Sequence, residues 1–170
     1  HPDSVPARER RYGYERALRE AGLTLDPSLI ASSTDPHHHG YTEEGGREAM
    51  RQLLGHEPRP EAVFVVSDIM ALGALQALEE AGLRVPDDVA LIGFDDLRVS
   101  RYLGLSTLRQ PMYEMGKLAA EKLLRRIAEP DLPVTSTVFA PRLICRRTCT
   151  AVKRNGQHEA TDTASVSVQS

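Results

Sequence analysis

The stretch Ala62–Asp96, AVFVVSDIMALGALQALEEAGLRVPDDVALIGFDD, decides the fold. Ala62 to Val66 is an unbroken apolar run without polar alternation, the pattern of a strand covered on both faces. Ser67 and Asp68 then open a helix, IMALGALQALEEAGL, which Gly82 closes, and Asp68 reads as its N-cap. RVPDD leads into a second apolar strand, Val89 to Phe94, stopped by Asp95 and Asp96. Strand, helix and strand with no hairpin turn between them predict a right-handed crossover and a parallel sheet. The fold class is therefore α/β, a parallel sheet flanked by helices.

Upstream, Tyr14, Ala17, Leu18 and Ala21 recur at helical spacing from Pro6 to Gly22, and Leu29 to Ser32 reads as a weak strand. The loop STDPHHHGYTEEGG turns into a helix from Thr42 to Leu54 with Ala49, Met50, Leu53 and Leu54 apolar. Downstream, Leu105 to Arg109 is a brief strand, and Pro111 suits the first turn of a helix reaching Ala128. That helix carries the stripe Met112, Met115, Ala119, Leu123 and Ile127, yet the strands it would cover are not evident. Thr135–Phe139 and Arg142–Arg146 read as two further strands, and 151–170, small and polar, as a disordered tail after a patterned region 1–150.

The 170 residues are 41% hydrophobic and 26% charged, an ordinary globular composition. Twenty-one basic against 24 acidic side chains leave a net charge of -3, so the chain has no global basic field for a phosphate backbone. No apolar run approaches the roughly 18 residues of a membrane span, and HPDSVPARERR lacks the apolar core of a signal peptide. Cys145 and Cys149 match neither a zinc CxxC pair nor a disulfide framework, which favours a reduced, cytoplasmic protein. His37, His38 and His39 can catch a transition metal in solution, but consecutive residues do not converge on one point, so no metal site is assigned. There is no GxGxxG, GxxxxGK[ST] or GxSxG motif, no cofactor is implied, and the chain reads as a binding protein rather than an enzyme.

Ligands of open parallel sheets bind beyond the carboxyl ends of the strands, which singles out Ser67, Asp68 and Asp95. A carboxylate at Asp95 can accept two hydroxyl hydrogen bonds from one polyol; the competing reading is a turn cap.

The stretch above, with LSTLRQPMYEMGKLAAEKLL after it, resembles the effector-binding core of the lactose/galactose repressor (LacI/GalR) family of transcriptional regulators, from about Arg10 to Arg147. The resemblance implies a two-lobed sensor of the periplasmic-binding-protein type, truncated here to the carboxyl-terminal lobe plus a returning helix, 111–128, of the other lobe. It further implies a small-molecule effector, most often a sugar though nucleobases occur. Operator DNA would be read through a helix-turn-helix that this sequence does not carry, and the intact protein would be a homodimer using the face with Ala71, Leu72, Leu75 and Val99–Gly104. The arginine of the family's RxxG motif falls on Arg10 in RRYG, and its effector-binding acid on Asp95. A position that is asparagine in some members falls on Ser67, an effector-stacking aromatic on Tyr41, and the cleft floor on Gln110 and Met112. Tyr41 also reads as a loop aromatic packed on the second helix, and Met112 as core. A sugar-binding protein of a transport system shares the two-lobed fold and is the alternative.

Overall fold

The computed structural model describes residues 4–33 and 41–149. The expected disordered tail and the three consecutive histidines lie outside the described residues. Helices α1 (Val5–Glu20) and α2 (Glu43–Leu54) precede strand β1 (Ala62–Phe64), helix α3 (Asp68–Glu80) and strand β2 (Ala90–Phe94). A short α4 (Arg98–Leu103), strand β3 (Ser106–Arg109), helix α5 (Met112–Ala128) and strand β4 (Arg142–Ile144) follow.

The four strands form one sheet in the order β1-β2-β3-β4. β1 and β2 are parallel with Val63 opposite Leu91, and β2 and β3 are parallel with Gly93 opposite Thr107. This is the α/β sheet that the strand–helix–strand reading predicts. β4 is antiparallel to β3, pairing Leu143 with Leu108.

Packing concentrates on α2, α3 and the inner strands, where Met50, Leu53, Val65, Ala71, Ala74, Ala77, Leu78, Val89, Leu91 and Leu105 form the core. α2 and α3 approach closely because glycines face the contact. A methyl group on Gly46 would run into the Met70 carbonyl, and one on Gly73 into the Glu43 carbonyl. Glycine costs helix propensity of about 1 kcal/mol per residue, so its place here is steric. Arg47 and Arg51 then reach Glu80 across the same interface at 3.3 and 2.7 Å.

Two expected strands do not form. Residues Pro27–Leu29 make a 3-10 turn capped by Asp26, Ile30 is extended, and the segment up to Ser33 joins no ladder among the described residues. Between that segment and β1 lies a groove of about 150 Å³, lined by Tyr14, Leu29, Ile30, Ala31, Ala62 and Val63. The apolar character was legible, but a strand also needs a ladder partner, and among the described residues this segment pairs with none. Residues 135–139 instead run beside α5, where Lys122 Nζ donates to the Thr135 carbonyl and the Thr137 hydroxyl at 3.1 and 2.8 Å. A helix offers no ladder to pair with.

α5 has no buried residue, and its apolar stripe is open: Met112 is 64% and Ile127 69% exposed. Among the described residues this apolar face is left largely uncovered, as the sequence suggests.

An alanine at Gly73 must push α2 and α3 apart. We expect Gly73→Ala to lose about 1–3 kcal/mol of stability in urea unfolding. Gly116→Ala on α5, where an added methyl meets open space, should be neutral or stabilising.

Candidate functional site

The site grows from the carboxyl end of β2. Phe94 is its last strand residue, and the chain then turns through Asp95 and Asp96 with φ of +116° and +56°, the half of the map that side-chain-bearing residues rarely adopt. The Asp95 N–H donates to the Leu108 carbonyl of β3 at 2.9 Å. Gly93 sits one residue further back because a methyl group there would collide with the Asp68 carboxylate.

Asp68 braces this turn. It is fully buried, and accepts from the Leu97 N–H at 2.8 Å and from the Ser100 and Thr107 hydroxyls at 2.6 Å each. The Thr107 oxygen in turn accepts from the Asp96 N–H at 3.3 Å. Ser67, not Asp68, caps α3: its hydroxyl accepts from the Met70 N–H at 3.3 Å. Both residue types cap well, and the long-range donors decide which one does.

Around Asp95 the structure gathers four of the five expected effector residues. Gln110 Nε2 donates to Asp95 Oδ1 at 2.8 Å, and Arg10 Nη2 lies 3.8 Å from the same oxygen. The Arg10 guanidinium lies over the Phe94 ring, 4.2 Å from its centroid, and 5.3 Å from that of Tyr41. Phe94 was missed by sequence reading, where it served only as the end of an apolar strand. The Tyr41 hydroxyl is buried without a hydrogen-bond partner among the described residues, an unmet donor of the kind that a ligand or water satisfies. The fifth residue, Ser67, is buried with its oxygen engaged in the cap. Met112 stands exposed at the start of α5.

The two adjacent acids differ in charge state preference. Burial pushes the Asp95 carboxyl above its ordinary range; Arg10 and the Gln110 hydrogen bond oppose this, and the Asp68 charge adds to it. Burial also acts on Asp96, but the hydrogen bonds and charges of Arg146 and Arg109 outweigh it and hold that carboxyl below its ordinary range. Cys149 is a free thiol pushed up by burial and by neighbouring Cys145, which suits a structural rather than a reactive role.

Chemically, the rim offers a carboxylate acceptor, a guanidinium fork, a primary amide, a phenol and two ring faces. Groups of these kinds suit a hydroxyl-rich molecule with an apolar side.

Comparison with known proteins agrees with this architecture. Residues 1–149 match the family model described as a periplasmic binding protein-like domain. The chain is 41% identical over 149 residues to the ribose operon repressor of Haemophilus influenzae, covering 86% of this chain and 43% of that protein. It is 38% identical over 155 residues to the HTH-type transcriptional repressor PurR of Haemophilus influenzae, covering 88% and 44%. Among solved structures, a complex of the transcriptional regulator CelR with cellobiose superposes with a TM-score of 0.77 at 34% identity, over 87% of this chain and 44% of that one. The chain thus spans less than half the length of the curated relatives it matches.

The opposite shifts of the two acids have opposite pH signatures. Stability contributed by Asp95 is present at low pH and lost as pH rises through its raised value, so the gap between native protein and Asp95→Asn should narrow from about pH 3 to 7. Stability contributed by Asp96 is lost as pH falls through its lowered value, so the gap to Asp96→Asn should widen over the same range. Urea midpoints at the two ends check both signs.

Proposed function

The chain belongs to the periplasmic binding protein-like domain family, in the form that LacI/GalR regulators carry as their effector-binding portion, and from that premise we propose that it senses a sugar and controls operator binding by the whole protein. The observation that carries the reading is Asp95. Its half-buried carboxylate stands at the end of β2, with Arg10 and Gln110 on one oxygen and aromatic faces beside it. Asp95 accepts from two hydroxyls of the sugar and Arg10 donates to a ring or hydroxyl oxygen. The Tyr41 phenol, unpartnered among the described residues, supplies a further donor. Gln110 lies where β3 passes into α5, so the bound molecule touches the crossing toward a second lobe.

Regulation then follows from differential affinity: an effector that favours one lobe arrangement shifts the population toward it and changes the operator affinity of a helix-turn-helix elsewhere in the whole protein. Several observations support a regulator over a transport protein or an enzyme. Both relatives named above are repressors, and the superposed structure is a transcriptional regulator. Operator binding makes the cytoplasm its place of action.

The whole protein is proposed to be a homodimer. Ala71, expected on the shared face, is fully buried inside α3 and cannot contribute, whereas Tyr102 on α4 is 74% exposed. Light scattering that finds the whole protein monomeric would exclude this.

Hydrogen bonds to charged groups are worth about 1.5–3 kcal/mol. Asp95→Ala should therefore weaken ribose or cellobiose binding roughly tenfold to a hundredfold, and Tyr41→Phe by about fivefold. Calorimetry on the whole protein decides; unchanged affinity in Asp95→Ala would sink the assignment.

A further inference from the structure

Two consecutive acids meet two consecutive side chains at the end of β3. Asp95 accepts from Gln110 at 2.8 Å, and Asp96 accepts from Arg109 Nε at 2.6 Å. Arg146, just beyond β4, reaches the other Asp96 oxygen with Nη2 at 2.6 Å and donates from Nη1 to the Leu105 carbonyl at 2.7 Å. Its own N–H donates to the Ser106 hydroxyl at 2.8 Å, and that hydroxyl donates back to the Arg146 carbonyl at 3.1 Å. One buried carboxylate, 1% exposed, is thus pinned to both strands that carry the chain to and from α5.

A non-glycine residue at positive φ costs on the order of 1–3 kcal/mol and persists only where its surroundings impose it. Here two such residues follow one another. Buried ion pairs are poor sources of net stability, because desolvation offsets the attraction, but they fix geometry firmly.

We infer that Arg109 and Arg146 are positioning residues for effector recognition: acting through Asp96, they hold the Asp95–Asp96 turn in its unusual conformation and so aim the Asp95 carboxylate at the rim. The inference rests on the reading of Asp95 as an effector ligand. It gives the site a mechanical connection as well. A change in the spacing of β3 and β4 reaches Asp96 through the two guanidinium groups and reaches Asp95 one residue later. Gln110, adjacent to Arg109, senses the same movement directly.

The test uses the full 170-residue chain, isotopically labelled, with the Gln110 side-chain amide and the Asp95 backbone amide as reporters. Asp96→Asn removes the charge yet keeps a residue that tolerates left-handed backbone, so it separates the ion pairs from the backbone requirement. Arg109→Met is the milder second variant, because that side chain is already 42% exposed. In each, unchanged signals from the buried Ala74 and Leu78 amides of α3 report an intact fold. The expected result is a displaced Gln110 amide exchanging with water about tenfold faster, a shifted Asp95 amide, and partial recovery in Arg109→Lys. A folded Asp96→Asn with both reporters unmoved would overturn the inference, as would a folded Arg109→Met with both unmoved should the first variant not fold. Ribose added to the whole protein, carrying the same reporters, separates the two readings. If it moves no signal, the sugar assignment is weakened while the reporter result still decides the positioning role; if ribose binds but the variants leave both reporters unmoved, only the positioning role falls.

Discussion

A single buried carboxylate, that of Asp68, holds the first turn of α3, the start of α4 and strand β3 in one arrangement. Its oxygens accept from a peptide N–H and two hydroxyls, and Gly93 is kept small so that β2 can pass beside it. An acid buried this deeply is tolerable only when its lone pairs are satisfied and a helix N-terminus faces it, and Asp68 has both. The turn that carries Asp95 depends on that constraint. The Asp95–Asp96 turn is fixed on one side by Leu97 and on the other by Thr107, each of them a donor to Asp68.

On this base the protein places two acids in succession and treats them oppositely. Asp96 is enclosed by two guanidinium groups and committed to the framework. Asp95, one residue earlier, shares a single arginine that is itself drawn toward aromatic rings, and burial keeps its carboxyl reluctant to ionise. Asp95 therefore keeps acceptor capacity that Asp96, engaged by two guanidinium groups, does not.

The fold was legible wherever the information was local. The run AVFVV, the alanine-rich helix and the stop at Asp95 each declare themselves within a few residues. Asp95 was legible at the end of an apolar strand, whereas Arg10, Tyr41 and Gln110 were named only through the family resemblance; the structure sets all four around one turn. What escaped was decided at a distance. Ser67 took the cap read for Asp68 because both can cap a helix, and the donors that claim Asp68 lie 29, 32 and 39 residues away. Arg146 sits 50 residues from the acid that it holds, in a segment whose pattern says only that a strand is ending. The Leu29–Ser32 segment failed for a different reason: its composition suits a strand, but pairing is a property of two segments, and its neighbour is not at hand.

The interlocked glycines of α2 and α3 carry one more implication. Helices whose backbones interlock at Gly46 and Gly73 cannot slide past each other without collision, so the pair behaves as a slab. Tyr41 precedes the Thr42 cap of α2, and Asp68 lies in the first turn of α3, so the phenol and the central brace ride on the same rigid body. A displacement of the first turn of α2 is therefore carried into α3 and its Asp68 brace, since the two helices have no room to move separately.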